Sequence, residues 1–371
     1  MQKIGENVME KDANKKQSRV CGADVGTMFF QTAEKNADNK IELKNIRNAF
    51  VQIEATDDIE DVLSQNKWKF VRDDGDYFVI GEDSLRVAKL FPGKVELRRP
   101  MESGVLNKNE EKKMLVLSEL INTSLGKAPN DKSVVCTCVS SPPTDGSADS
   151  AFHKARLMGM FKKNGWNVKV IEEGLAVILS ERPVVVEEDG TESPYSGIGI
   201  SFGAGRVNCV LAYKGLKILG MSTSRSGDWI DNKVSEQLGI SVSKVTSAKE
   251  KRLDFNNLDE DDDILYALDV YYGAMIEYVL KNFAVKFANV ESEFDSPLDI
   301  VVAGGTSMPK GFCNKIEEVI RGLKLPFKVK DVKHSADPRN SVVKGCLTQA
   351  MITQKKINKS SDDDLSSILG D

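Results

Sequence analysis

A local pattern that occurs twice constrains the fold of this chain more than any other feature. In each copy an apolar strand is followed by a glycine turn and a second strand, and the copies span residues 20–30 and 197–213. The backbone amides of such a tight turn can surround a phosphate group. Two copies, one early in each half of a chain of 371 residues, imply a duplicated domain with the phosphate held between the copies. A chain of this length is sufficient for two domains with substantial cores.

The residues of the first turn suit this chemistry. Asp24 lies on the strand that enters the turn, and Gly26, Thr27 and Met28 follow it. We expect the turn amides to contact phosphate and the carboxylate of Asp24 to face the counter-cation, because hard divalent cations prefer oxygen ligands.

A third glycine turn occurs late in the chain. Residues 298–303 form a short apolar run rich in β-branched residues, which predicts a core strand. Gly304 and Gly305 come next, and Thr306 and Ser307 are candidate caps for the helix that follows. A glycine pair at the carboxyl end of a strand lets a ligand approach the backbone without obstruction by Cβ atoms. The alternative interpretation is an ordinary strand–turn–helix without a ligand.

Residues 298–311 resemble the adenosine motif of the actin-like ATPases, which reads strand–Gly-Gly–small–small–apolar–x–x–Gly. Other motifs of that family occur in the same order: residues 99–105 resemble Arg-Pro-Met-x-x-Gly-Val, and residues 337–345 resemble Asp-Pro-x-x-x-Val-x-x-Gly. The resemblance covers roughly residues 19–353 and is closest to bacterial MreB and its filament-forming relatives. It implies an α/β actin-like fold, with two duplicated domains, each a mixed sheet flanked by helices, around a nucleotide cleft.

The resemblance also divides the chain into segments: a disordered N-terminal tail at 1–18, domain I at 19–155 with a small β-rich subdomain at about 41–95, domain II at 156–335, a return to domain I at 336–353, and an acidic disordered tail at 354–371. Met1, Ile4, Val8 and Met9 lie at roughly helical spacing, so a weak membrane-surface helix is an alternative for the first segment. The last segment ends in a short apolar patch that could bind a partner protein.

The second phosphate turn departs from the family pattern. MreB reads Asp-x-Gly-Gly-Gly-Thr-Thr-Asp there; this chain keeps the glycine shape with Gly203, Ala204 and Gly205 but has Ser201 in place of the metal-side aspartate. Arg206 stands at the start of the pair where the family has hydroxyl side chains, one of which helps to align the attacking water. Arg206 either contacts phosphate through its planar donor fork or is an exposed charge on the strand.

The acids implied by the family are only partly identifiable. The family places a water-positioning acid early in the helix after residues 140–150, where Asp145 and Asp149 are the only acids present. Both can instead serve as turn or N-cap residues. Glu173 corresponds to an acid near the metal, in a segment that reads Ile-Glu-Glu-Gly where MreB has Ile-Glu-Glu-Pro. Glu173 and Asp149 are therefore the candidate catalytic residues.

Residues 240–252 correspond loosely to a family helix that lines the adenine pocket, with Lys244 and Lys249 as candidates and a solvated basic face as the alternative. The resemblance thus implies the following nucleotide-binding residues: Gly26, Thr27, Met28, Gly203, Ala204, Gly205, Arg206, Lys249, Gly304, Gly305, Thr306 and Met308. Asp24 is the implied metal ligand, acting through water, and ATP or ADP with Mg²⁺ is the implied cofactor.

The function implied by the resemblance is that of a cytoskeletal protein that polymerises with itself into filaments. Phosphoryl transfer to water depends on carboxylates around the metal and on groups that align the water. Because one carboxylate is replaced and the water-positioning acid is unassigned, we expect ATP binding with slow hydrolysis. The alternative is a non-polymerising, nucleotide-binding scaffold or adaptor of the same fold.

The composition of the chain argues against several other kinds of function. A net charge of −5 gives no electrostatic indication of nucleic-acid binding. The six cysteines are scattered and lack a histidine cluster, which argues against a zinc-type site and predicts free thiols in a reducing cytoplasm. No apolar run approaches the length of a membrane span.

Overall fold

The computed structural model describes residues 17–56, 58–91, 93–181, 184–186, 192–290 and 297–368. The strands are β1 (Val20–Val25), β2 (Phe29–Lys35), β3 (Ile41–Arg47), β4 (Phe50–Glu54), β5 (Phe70–Asp73), β6 (Asp76–Ile80), β7 (Met101–Glu102), β8 (Val105–Leu106), β9 (Val134–Val139), β10 (Asn167–Glu172), β11 (Val184–Val186), β12 (Glu192–Pro194), β13 (Gly197–Phe202), β14 (Val207–Tyr213), β15 (Leu216–Thr223), β16 (Leu298–Ala303) and β17 (Val329–His334). The α-helices are α1 (Ile59–Gln65), α2 (Glu82–Leu90), α3 (Lys113–Ser124), α4 (Ala151–Lys163), α5 (Glu173–Glu181), α6 (Gly227–Leu238), α7 (Val242–Lys251), α8 (Asp263–Phe287), α9 (Phe312–Arg321) and α10 (Ser341–Ile368).

Two five-stranded sheets with the same topology form the centre of the structure. The first has the order β10-β9-β1-β2-β3, and the second has the order β17-β16-β13-β14-β15. In each sheet three consecutive strands pair antiparallel, and two later strands extend the sheet with parallel pairing. Helices pack on both sheets. The predicted duplication of a mixed sheet flanked by helices is therefore confirmed.

The predicted phosphate turns occupy equivalent positions in the two sheets. The first turn connects β1 to β2, where Asp24 pairs with Gln31 across the hairpin. The second connects β13 to β14, where Ser201 pairs with Asn208 in the same way. The third turn follows β16, which lies parallel to β13 and next to it. The second and third turns therefore leave the same edge of one sheet.

Helices α5 and α10 lie between the two sheets and join them. A shared apolar cluster draws buried residues from β9, α5, β14, β16 and α10; examples are Cys136, Ala176, Val210, Val301 and Cys346. Because this cluster belongs to neither sheet alone, removing either helix would expose apolar surface on both sheets.

Three glycines permit the close approach of these layers. A Cβ atom at Gly22 of β1 would lie 2.3 Å from a carbonyl oxygen of α10, and one at Gly199 of β13 would lie 2.3 Å from the Gly174 carbonyl oxygen of α5. At Gly345 of α10 a Cβ atom would lie 1.8 Å from the Ala176 carbonyl oxygen of α5. No methyl group can approach a backbone oxygen so closely, so the two helices and two sheets meet only because these residues are glycines.

A small subdomain forms within the range predicted for it, about 41–95. Strands β4, β5 and β6 make a three-stranded sheet in the order β4-β6-β5, and α1 and α2 contribute to its apolar cluster. Strand β3, however, pairs with β2 in the first main sheet, although it lies inside the predicted range.

The structure bears on the predicted C-terminal tail but not on the predicted N-terminal tail. The described residues begin at 17, so the N-terminal tail and the alternative of a membrane-surface helix lie outside them. Helix α10 continues to Ile368, so the backbone is helical through most of the range 354–371 for which we expected a disordered tail. No glycine or proline occurs between Gly345 and Gly370, so the sequence contains no strong helix breaker there.

All six cysteines are free thiols, as expected. Within the part of the chain that the structure describes, no helix combines the length and apolar composition needed to cross a bilayer.

The crossing of α5 and α10 can be tested with a single methyl group. We expect Gly345→Ala to lower the free energy of unfolding by about 3 kcal/mol, because the added Cβ forces α10 away from α5. Gly273→Ala in α8 is the matched control, since its Cβ would meet only a lysine carbon at 3.7 Å. The control should raise the free energy of unfolding by about 0.5–1 kcal/mol through helix propensity. Urea denaturation followed by circular dichroism measures both, and equal effects would contradict the glycine-dependent crossing.

Candidate functional site

A cavity of about 650 Å³ lies where the three glycine turns meet. This volume is within the range of small-molecule sites. Its lining includes nearly all of the residues predicted from the sequence: Asp24, Gly26, Thr27, Met28, Glu173, Gly203, Ala204, Gly205, Arg206, Lys249, Gly304, Gly305, Thr306 and Met308. Of the predicted set, only Asp149 is not part of the lining. The fold thus brings together predicted residues as distant in sequence as Asp24 and Met308.

The first turn is held by Asn48, which no sequence pattern indicated. The Gly26 amide donates to the Phe29 carbonyl at 2.9 Å and closes the turn. The side-chain amide of Asn48 donates to the Gly26 carbonyl at 2.8 Å, and its backbone amide donates to the Met28 carbonyl at 3.0 Å. These bonds fix the turn from the protein side.

The second turn is attached to the start of α6. The Gly203 amide donates to the Arg206 carbonyl at 2.9 Å and closes the turn. The amides of Gly227 and Asp228 donate to the carbonyls of Gly203 and Ala204 at 3.2 and 2.8 Å, respectively. The turn therefore keeps a defined shape even though its middle residue is alanine.

In the third turn the two glycines have different roles. Gly304 has a φ of 99°, and a Cβ atom there would lie 2.3 Å from the Phe202 carbonyl oxygen. A Cβ atom at Gly305 would meet no protein atom within 4 Å. Gly304 is therefore required by the fold, whereas Gly305 keeps space open at the cavity.

Thr306 and Ser307 do not cap the following helix, so that prediction is wrong. Thr306 donates its hydroxyl to the Gly203 carbonyl at 2.9 Å, and Ser307 donates to the Gly304 carbonyl at 2.8 Å. Helix α9 begins only at Phe312, because Gly311 adopts a left-handed conformation immediately before it. Thr306 instead ties the third turn to the second.

Two carboxylates, Asp24 and Glu173, lie on the floor of the cavity. Glu173 accepts hydrogen bonds from the hydroxyls of Ser201 at 3.1 Å and Ser140 at 3.4 Å. The Cys138 thiol donates to Asp24 at 3.4 Å. Ser201, at the position of the family's second metal-side carboxylate, therefore supports Glu173 by hydrogen bonding.

Burial raises the pKa of Asp24 above its ordinary value. Burial, together with the nearby charge of Asp24, also raises the pKa of Glu173. Two like charges in a poorly hydrated site repel each other, and a divalent cation would relieve this repulsion. Mg²⁺ in nucleotide sites is held by one or two carboxylates together with phosphate oxygens. Two carboxylates are within this number, so the pair fits Mg²⁺ shared with a phosphate.

The two acids before α4 have structural contacts. The Asp149 carboxylate accepts from the Ala151 amide at 2.7 Å, at the start of α4. The Asp145 carboxylate accepts from the amide and hydroxyl of Ser224 at 2.6 and 2.8 Å. Burial alone would raise the pKa of Asp145, but the hydrogen bonds from Ser224 and Ser147 hold it below its ordinary value. The bond from the Ala151 amide to Asp149 and the bond from the Ser147 amide to Asp145 at 3.3 Å match the turn alternative. The bonds from Ser224 instead join Asp145 to a segment 79 residues away, and the N-cap of α4 is Ser150.

Arg206 is not an exposed strand charge. Its side chain is 2% exposed, and its guanidinium donates to the carbonyls of Ser103 and Ala148 and to the hydroxyl of Ser222. Burial lowers the pKa of Arg206, although arginine remains charged in proteins. The acceptors that it binds lie outside its own hairpin.

Of the two candidate lysines on α7, one lines the cavity and the other does not. Lys249 lines the cavity and forms a buried ion pair with Asp231 at 2.7 Å. Lys244 is exposed and does not line the cavity, as the alternative of a solvated basic face predicts.

An ion pair between Arg99 and Asp228 spans the cavity at 3.1 Å. Both residues line the cavity, and Arg99 opens the Arg-Pro-Met segment that resembles the family. Burial raises the pKa of Asp228, whereas the charge of Arg99 opposes this shift. The sequence could not indicate the pair because its members are 129 residues apart.

A protein-family model described as Volactin matches residues 20–350 of this chain. None of the curated proteins matches its sequence.

Solved structures match nearly the whole chain. The MamK double helical filament covers 90% of this chain and 99% of the MamK chain, with 16% identity and a TM-score of 0.66. MreB5 of Spiroplasma citri bound to AMPPNP covers 94% of this chain and 99% of its own, with 14% identity and a TM-score of 0.64. The same protein bound to ADP covers 92% and 98%, with 13% identity and a TM-score of 0.60. Identities this low establish the fold alone, which is the actin-like fold expected from the sequence motifs.

The repulsion between Asp24 and Glu173 predicts an unusual mutational effect. We expect Glu173→Gln to raise the free energy of unfolding of the nucleotide-free protein at pH 7.5 by about 1 kcal/mol or more, because the amide carries no charge to desolvate. A raised carboxyl pKa destabilises the folded state above that pKa. The difference between variant and wild type should therefore shrink as the pH falls and Glu173 becomes protonated.

Glu172→Gln is the matched control for this prediction. Glu172 accepts from Ser141 at 2.6 Å and pairs with Lys217, so its loss should not stabilise the protein. Urea denaturation across pH measures both variants. A Glu173→Gln protein less stable than wild type at pH 7.5 would show that the carboxylate pair is not repulsive.

Proposed function

The chain belongs to the Volactin family, and we propose that it is an actin-like cytoskeletal protein that binds an adenine nucleotide with Mg²⁺ and assembles into filaments. The observation that carries the proposal is the meeting of three glycine turns and a carboxylate pair around one cavity of about 650 Å³. Turns of this kind bring backbone amides close to phosphate, and the carboxylates suit its counter-cation.

The cavity residues divide into groups with different roles in this proposal. The turns at 26–28 and 203–205 would bind the phosphates, and the turn at 304–308 would border the nucleoside, where Gly305 keeps space open. Asp24, acting through water, and Glu173 would hold Mg²⁺ together with the phosphates. The bound cation would neutralise phosphate charge and favour attack by water.

Self-assembly is supported by the relatives of the same fold. MamK is described as a double helical filament, and MreB5 is described as bound to AMPPNP and to ADP. Since fold likeness is a weak argument for function, assembly must be measured directly.

The chemistry of the cavity supports slow hydrolysis. Ser201 donates a hydrogen bond to Glu173 and adds no negative charge beside the cation. The Asp149 carboxylate accepts from the Ala151 amide and the Asp145 carboxylate accepts from Ser224, and neither residue lines the cavity. Loss of one electrostatic group typically costs on the order of 10²–10³ in rate. We therefore expect a nucleotide that stays bound as ATP for long periods.

Gly305→Val tests nucleotide binding and assembly together. A Cβ atom at this position meets no protein atom within 4 Å, so the fold should persist, but the Val side chain occupies the space proposed for the nucleoside. We expect ATP affinity to fall by at least tenfold, and ATP-dependent pelleting of the protein to be lost with it. Calorimetry and sedimentation with electron microscopy provide the two measurements.

Gly159→Val on α4 is the matched control, because a Cβ there also meets no atom within 4 Å and Gly159 does not line the cavity. ATP binding by the wild type without pelleting at any salt or Mg²⁺ concentration would contradict filament assembly. That result would instead favour the non-polymerising scaffold.

Ser201→Asp tests the account of slow hydrolysis. The added carboxylate restores the charge that the family pattern has at this position, and we expect phosphate release at saturating ATP to rise by about tenfold or more. Ser201→Asn has nearly the same shape without the charge and should not raise the rate. Wild-type turnover that neither substitution increases would rule out the missing carboxylate as the cause.

A further inference from the structure

Arg206 connects three segments that are distant in sequence. Its Nε donates to the Ser103 carbonyl at 2.6 Å in the turn between β7 and β8. Its Nη1 donates to the Ser222 hydroxyl of β15 at 3.3 Å, and its Nη2 donates to the Ala148 carbonyl in the loop before α4. The side chain therefore joins the second phosphate turn to two segments of the opposite half, the β7–β8 turn and the loop before α4.

The acceptors of this guanidinium are neutral. A buried charge is costly unless its hydrogen bonds are satisfied, and here all three guanidinium nitrogens donate to protein oxygens. Asp145, Glu173 and Asp149 influence Arg206 only as nearby charges. Three of the five guanidinium N–H groups thus donate to protein, which leaves less capacity for a phosphate.

Glycines leave the space that the Arg206 side chain occupies. Gly104 has a φ of 72°, and a Cβ atom there would lie 2.8 Å from Cγ of Arg206. At Gly205 a Cβ atom would lie 2.5 Å from the Gly104 amide nitrogen and 2.4 Å from Oγ1 of Thr27. The two phosphate turns and the β7–β8 turn thus meet at one point, and Arg206 passes through it.

The neighbouring imidazole does not compete with Arg206. His153, in the first turn of α4, is 3% exposed. Burial first, and the charge of Arg206 second, lower the pKa of His153 to about 4, so it is neutral near pH 7. Of Arg206 and His153, only Arg206 is therefore positively charged near pH 7.

We propose that Arg206 is a positioning residue that fastens the closed cleft at its phosphate end and thereby sets how long a nucleotide stays bound. It acts through Ser103 and Ala148 rather than as a ligand of phosphate charge. This inference rests on the proposed function. It assigns Arg206 the role of holding the two halves of the cleft together, in place of a direct contact with phosphate. The ion pair of Arg99 and Asp228 also spans the cavity, but its side chains are 37% and 33% exposed.

The test compares dissociation rates of fluorescent ADP and of a fluorescent non-hydrolysable ATP analogue. For Arg206→Ala we expect both rates to rise by the same factor, about tenfold or more, since hydrogen bonds to a charged group are lost. Guanidinium chloride, far below denaturing concentration, should restore the slow rates, whereas sodium chloride at equal ionic strength should not. Arg225→Ala is the control, because Arg225 stacks on Trp229 and Tyr278 and does not line the cavity.

Hydrogen exchange on the nucleotide-free protein gives an independent readout. Arg206→Ala should increase amide exchange in residues 101–106 and 143–150 together, and Gly104→Ala, which displaces the same side chain, should reproduce the effect. Faster dissociation of the ATP analogue alone would overturn the inference and make Arg206 a phosphate ligand. Unchanged exchange in both segments would also overturn it. If the wild type binds no nucleotide, the proposed function fails and the exchange data alone decide the role of Arg206.

Discussion

The structure depends on the glycine-lined crossing of α5 and α10 between the two sheets. Gly22 and Gly199 occupy equivalent positions, each two residues before a residue that lines the cavity, Asp24 or Ser201. At these points a helix backbone lies directly against a strand, and at Gly345 the two helices touch each other. This spacing brings the turns of the two sheets close enough to share one cavity. A side chain at any of the three positions would separate the layers and open the cavity.

The cavity combines two opposing electrostatic features. On its floor, Asp24 and Glu173 repel each other. Hydrogen bonds from the Cys138 thiol and from the hydroxyls of Ser140 and Ser201 stabilise the two carboxylates. Elsewhere in its lining, Arg206 is buried against neutral acceptors. Such an arrangement costs stability without a ligand, and a nucleotide with Mg²⁺ would offset that cost by placing a cation beside the acids. Binding energy and cleft closure would then be linked, because the acid pair and Arg206 line the same cavity.

Much of the fold followed from the sequence because its signals are local. The two hairpins and the glycine turn after β16 each combine an apolar strand with residues that permit tight turns, and all three lie where expected. The contacts that complete the site are not local. Asn48 and Arg206 bind backbone carbonyls, which every residue possesses, so no residue type marks their partners. The helical continuation of α10 to Ile368 was also missed, because charge and polarity suggested disorder where helix propensity was adequate.

The most direct test of the central claim is the affinity of the wild-type protein for ATP, measured by calorimetry with Mg²⁺ and then with a chelator. If the acid pair and the glycine turns form a nucleotide site, ATP with Mg²⁺ should bind with a dissociation constant of roughly micromolar order, and removal of the cation should weaken binding at least tenfold. Affinity no tighter than about millimolar in both conditions would contradict the account.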